Sequence, residues 1–149
     1  MEFKDEIIQR YTIMLKDRID VFKDMIAALT EDSKNDAKGS AGDKHETALS
    51  MMHLEQEKLN HKLQENIQLL RQFSEIDFTK KSERIVVGSL VNANNFYFLV
   101  SVALPKISIE GQTIFSVSPL APLASKLLGL KINEEVTVNG TTYLVKEVL

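Results

Sequence analysis

Before Gly39 the chain contains neither glycine nor proline, which restricts its opening quarter to one long element. The apolar spacing says which. Ile8, Leu15, Phe22 and Leu29 recur every seven residues, and Tyr11, Ile19, Met25 and Ile26 fill the alternate offset, the seam of a helix that packs along another helix. Lys16, Asp17, Asp20, Lys23 and Asp24 lie between them. The spacing predicts a helix from residue 3 to near Lys38, about 50 Å long at 1.5 Å per residue. The pattern fades in the polar run from Thr30 to Ala41, and Gly39, Ser40 and Gly42 read as a turn.

A second helix is expected over residues 43–74. Leu49, Gln56, Leu63 and Leu70 keep one heptad phase, and Met52, Leu59, Asn66 and Phe73 the other. Two helices of matched length joined by a short glycine-containing link pair most simply as an antiparallel hairpin. The turn favours pairing within the chain over pairing between chains, because it raises the effective concentration of the partner helix. Gln56 and Asn66 weaken the seam and fix its register, as buried polar residues do in coiled coils.

At the start of that second helix, Asp43 and Glu46 are three residues apart and share one face. Two readings fit them: an N-cap with its partner at N3, or an acidic point at the hairpin turn. His53, Glu57 and His61 follow at helical spacing. Three side chains spread over two turns do not converge on one ion, so these read as a solvated face.

Composition removes several classes of function. With no cysteine in 149 residues, disulfides, thiolate metal sites and cysteine nucleophiles are excluded. No apolar run is long enough to span a bilayer and the start, Met1 to Glu6, is too acidic for a secretion signal, so a cytoplasmic protein is expected. Residues 1–78 carry 16 acidic against 11 basic side chains, and residues 79–149 carry 5 against 7. An acidic first half argues against direct nucleic-acid binding.

After a charged linker over residues 77–84, β-branched and aromatic runs begin. Ile85–Val91 and Asn95–Ala103 read as a hairpin about Asn92-Ala93-Asn94, Gln112–Val117 as a third strand, and Glu134–Val138 with Thr142–Val148 as a hairpin about Asn139-Gly140. Between the strands a short helix is expected, with Ser118 as N-cap, Pro119 at its first position and Gly129 ending it. Phe96, Phe98, Phe115, Leu127 and Tyr143 read as most of the core of a small α+β domain of about five strands. Residues 79–149 hold no His, Cys or Asp, so this half reads as a docking module.

The order helical hairpin, linker, small sheet domain resembles the bacterial Gre transcript-cleavage factors. Gly42-Asp43-Lys44-His45-Glu46-Thr47-Ala48 is similar to that family's hairpin-tip motif Gly-Asp-Leu-Lys-Glu-Asn-Ala, and Ser116-Val117-Ser118-Pro119-Leu120-Ala121 resembles its Ser-Pro-Ile-Ala segment. Val87-Gly88-Ser89 stands at the domain entrance in the matching order. The resemblance implies an antiparallel coiled-coil hairpin over residues 1–76 with its acidic tip near 39–47, the linker 77–84, and an immunophilin-like sheet domain over 85–149.

It further implies RNA polymerase as partner, with nascent RNA touched only through it, no membrane contact and no DNA binding of its own. Ser118, Pro119, Leu120 and Ala121 would dock on the polymerase. The hairpin would enter the secondary channel, where Asp43 and Glu46 help hold a Mg²⁺ shared with the polymerase's own carboxylates. That ion would activate water against a backtracked transcript. The protein would be an accessory factor rather than an enzyme.

Lys44, Thr47 and Ser50 depart from the family pattern, which makes a variant that occupies the channel without promoting cleavage the alternative reading. A coiled-coil adaptor unrelated to catalysis is the reading from another class. A prolyl isomerase would need an aromatic-lined pocket, and the aromatics read as core instead.

Overall fold

The computed structural model describes residues 2–39 and 43–149, with side chains described outside 33–45. The fold is mixed α+β: helices α1 (Phe3–Gly39) and α2 (Asp43–Ser74) form a hairpin, followed by strands β1 (Leu90–Ala93), β2 (Phe96–Val100), β3 (Leu104–Ile109) and β4 (Gln112–Val117), helix α3 (Pro122–Leu127), and strands β5 (Glu135–Val138) and β6 (Thr141–Val148). By contact the chain divides into two compact units, Ile13–Arg71 on one side and Met1–Thr12 with Gln72–Leu149 on the other. The division therefore falls inside the helices, and the first three turns of α1 belong with the sheet.

In the hairpin unit, Leu15, Ile19, Leu59 and Leu63 are buried, as the seam requires. Gln56 donates from Nε2 to the Thr30 hydroxyl at 3.1 Å, one polar tie between the two helices. Met25 is a correction: it is 45% exposed. The buried positions in the first half of α1 are Ile7, Tyr11, Leu15 and Ile19, spaced by four rather than alternating three and four, so the stripe drifts around the helix and Met25 falls off it.

Asn66 is buried in the seam; its Nδ2 donates to the Lys62 carbonyl at 2.8 Å while its Oδ1 has no partner. An unsatisfied buried acceptor costs about 1–3 kcal/mol. Asn66→Leu is expected to raise the urea midpoint by the equivalent of about 1–2 kcal/mol; a lower midpoint would contradict this placement of the side chain.

The sheet has six strands in the order β3-β4-β2-β1-β6-β5, with β2 and β4 parallel and every other neighbouring pair antiparallel. Its hairpins repeat one device. Asn94-Asn95, Glu110-Gly111 and Asn139-Gly140 each close a two-residue turn with both central φ angles positive, the twist that suits right-handed strands.

The last matches its expected position, and Gly111 turns the chain into the strand Gln112–Val117 as expected. The first strand is shorter and later than expected: a turn carries the chain through Gly88, whose N–H donates to the Val100 carbonyl, and Asn92 and Ala93 are strand residues rather than turn residues. The strand β3 was not expected at all, because Pro105 breaks its pattern. Proline is tolerated there because β3 lies at the sheet edge.

Side chains alternate between two covered faces, which explains the continuous apolar runs. On one face, α3 packs over Val91, Ala93, Phe98, Val100 and Val145. On the other, the first turns of α1 lie against the sheet: Phe3 meets Tyr97 at 4.9 Å between ring centroids, and Tyr11, fully buried, donates its hydroxyl to the Pro105 carbonyl at 2.8 Å. Tyr11 also packs edge-on against Phe73.

Burial pushes the Tyr11 phenol up to about 12 from its ordinary 10.0. Because the folded value is the higher one, the stability it contributes is intact below pH 10 and lost as pH rises towards 12. Tyr11→Phe is expected to cost about 1 kcal/mol at neutral pH and to remove that alkaline decline, checked by denaturation at a series of pH values. A decline of equal steepness in both proteins would contradict it.

Candidate functional site

Asp43 begins α2, and Glu46, one turn along, is exposed. The backbone therefore puts both acids in the first turn of one helix, at i and i+3. There the aligned peptide dipoles favour negative charge. The Asp43 side chain, its capping role, and the link at residues 40–42 lie outside the described residues. His61 pairs with Glu65 at 3.0 Å on an exposed face, and among the described residues no group of three or more His, Cys, Asp or Glu could hold a metal ion.

The second candidate, Ser118 to Ala121, is well defined. The Ala121 amide donates to the Ser118 carbonyl at 2.9 Å, and the Leu120 amide donates to the Ser118 hydroxyl at 3.2 Å. That is a β-turn with serine at its first position and proline at its second, where the ring presets φ. Ser118 is therefore not the N-cap expected from the sequence. Ala121 occupies that position without a side-chain cap, and Pro122, not Pro119, begins α3.

The turn has a consequence for its third residue. Leu120 is 90% exposed, while Ser118, Pro119 and Ala121 are partly covered. The hydrogen-bonded backbone of the turn thus holds out an apolar side chain that packs on almost nothing in the free chain.

Behind the turn, Ser116 is buried and structural. Its hydroxyl donates to the Val102 carbonyl at 2.5 Å and accepts from Ser101 at 2.6 Å. Because each hydroxyl has one proton, the direction of the pair is fixed: Ser101 donates, Ser116 passes its own proton on. Ser116→Ala is expected to destabilise by about 1–3 kcal/mol by orphaning the Val102 carbonyl, read from a denaturation midpoint; an unchanged midpoint would overturn the pairing.

The linker is not a free tether. Phe78 packs on Phe73 at 5.0 Å between centroids, and Asp77 accepts from the Thr79 amide and hydroxyl at 2.9 and 2.5 Å. Those bonds, and Thr79's hydroxyl first among them, hold the Asp77 carboxyl below its usual range. Among the described residues no helix is long and apolar enough to cross a membrane. No family model matches the chain, and no curated protein matches it.

Proposed function

We propose that this chain is an RNA polymerase accessory factor of the Gre type. It docks through the Ser118–Ala121 turn and lends Asp43 and Glu46 to a Mg²⁺ shared with the polymerase, stimulating cleavage of backtracked transcripts. The observation that carries the reading is the pairing of two features in one chain: acids in the first turn of α2 at the hairpin link, and a sheet unit that exposes the apolar Leu120 side chain on a hydrogen-bonded turn. Carboxylate oxygens suit a hard, octahedral ion that keeps part of its water shell, and such an ion can generate the attacking hydroxide. The active site belongs to the polymerase.

A second reading is favoured by the sequence between the acids. Lys44 and His45 put a positive and a titratable group beside the ligands, which opposes cation capture. A regulator that fills the channel without promoting cleavage uses the same docking turn.

Both readings are tested first at docking. Leu120→Asp is expected to weaken co-migration with the cognate RNA polymerase at least about tenfold, since it places a charge in an apolar contact. The fold should be unaffected, because Leu120 buries almost nothing in the free chain. Wild-type protein that fails to bind polymerase sinks both readings and leaves the coiled-coil adaptor.

A further inference from the structure

Lys4, in the first turn of α1, is half-buried, and its Nζ donates to the Leu149 carbonyl at 3.0 Å. The first turn of α1, the linker and the end of β6 belong to one compact unit. Between them lies a cavity of about 640 Å³ that Lys4 helps to line. Two rings of its wall are braced by others, Phe3 by Tyr97 at 4.9 Å and Phe78 by Phe73 at 5.0 Å between centroids.

Burial holds the Lys4 ammonium below its ordinary 10.5, against the pull of the Asp5 and Asp77 carboxylates. More of the amine is therefore neutral and nucleophilic than in a solvated lysine at the same pH. A neutral amine has two N–H bonds and one lone pair. It can keep its bond to Leu149 while the lone pair attacks, a nucleophile held in place beside the space a reagent would fill.

The rest of the lining complements one kind of reagent. Lys80 and Lys81, adjacent in the linker, are exposed point charges. Ser82 accepts from the Arg84 amide at 3.2 Å, which leaves its own hydroxyl proton to donate. The Thr79 hydroxyl proton is already given to Asp77. Two ammonium groups and one hydroxyl match the oxygens of a phosphate. Glu2 and Asp5 also line the cavity and repel an anion at the α1 side. The linker side is thus left to the phosphate, and the α1 side to an uncharged group attached to it.

We infer that Lys4 is a modification site, acylated by a small acyl phosphate whose phosphate rests on Lys80 and Lys81. In such a reagent the electrophilic carbon is one bond from the phosphate-ester oxygen, so one cavity accommodates both. The neutral Nζ attacks the acyl carbon and an N–C bond forms. The bond from that carbon to the phosphate oxygen breaks, its electron pair leaves with inorganic phosphate, and the extra proton on nitrogen passes to water. Nothing is oxidised or reduced. The product amide keeps an N–H for the Leu149 carbonyl and loses the charge.

The test follows acetylation of the full chain at each lysine by mass spectrometry, with acetyl phosphate and, separately, with N-acetoxysuccinimide, which carries no phosphate. Lys106, exposed on β3 and outside the cavity, is the internal reference. At about pH 8, acetyl phosphate is expected to modify Lys4 at least about fivefold faster than Lys106. The double variant Lys80→Gln/Lys81→Gln, at exposed positions, should lower the Lys4 rate with acetyl phosphate about threefold or more relative to its rate with N-acetoxysuccinimide. Taking the ratio of the two reagents on one variant cancels any change in the amine itself.

A Lys4 rate with acetyl phosphate no higher than that of Lys106 overturns the inference. So does an unchanged ratio in the double variant, which would mean that the two lysines do not hold the phosphate.

Discussion

Replacing Gly88 with alanine is expected to cost about 3–5 kcal/mol, a large part of the stability of a domain this size. Two effects add. Gly88 has φ +97°, a conformation that side chains rarely adopt, and a Cβ there would stand 2.6 Å from the Asp77 carbonyl oxygen and 3.3 Å from Ile76 Cγ2. The first obstacle is backbone, so it cannot swing aside as a side-chain end would. The linker segment at Ile76–Asp77 would have to lift off the sheet.

Gly140 provides the control. It has φ +80° but nothing within 4 Å of its would-be Cβ, so Gly140→Ala carries only the backbone cost, about 1 kcal/mol. Urea denaturation of the three proteins separates the effects. A Gly88→Ala midpoint no lower than that of Gly140→Ala would mean that the linker does not lie where the structure puts it.

The helices were legible in the sequence for a physical reason: heptad spacing and the lack of early glycine or proline act locally. The seam residues Leu59 and Leu63 are buried as that spacing requires. What spacing could not give was the demand made by the sheet on α1. Tyr11 answers to β3 as well as to α2, reaching the Pro105 carbonyl and the Phe73 ring alike, and only the four-residue interval from Ile7 to Ile19 hints at it.

Asn139-Gly140 announced its hairpin. Asn94-Asn95 did not, since two asparagines in sequence carry a weaker turn signal than asparagine followed by glycine. The strand β3 was hidden by Pro105, whose tolerance depends on an edge position known only once the strand order is known. Ser118-Pro119 signals a turn and a helix start equally well, and the Ala121 amide bonded to the Ser118 carbonyl, with α3 beginning only at Pro122, settles it as a turn. Residue type suits Phe96 to a core, yet it is 41% exposed. Nothing in the sequence says that α3 is too short to cover Phe96.

The second large effect is expected at the acids. The double variant Asp43→Asn/Glu46→Gln removes the charge of both proposed ligands while keeping their size. If they help hold the shared ion, transcript cleavage should fall about a hundredfold or more, the scale on which metal affinity and water activation respond to lost ligand charge. Folding should be nearly unchanged, because Glu46 is exposed and asparagine caps a helix about as well as aspartate. Docking should be retained as well, because Leu120 is untouched. Loss of cleavage with binding preserved is therefore the signature of lent ligands, and loss of both would point to misfolding instead.

The most direct measurement uses the cognate RNA polymerase halted in a backtracked complex with end-labelled RNA and Mg²⁺, incubated with wild-type protein, the double variant or neither. Faster release of short 3′ fragments with wild type alone is the result expected from borrowed carboxylates. Equal cleavage rates in all three, with wild-type protein bound to the polymerase, would contradict cleavage stimulation and leave a channel-occupying regulator.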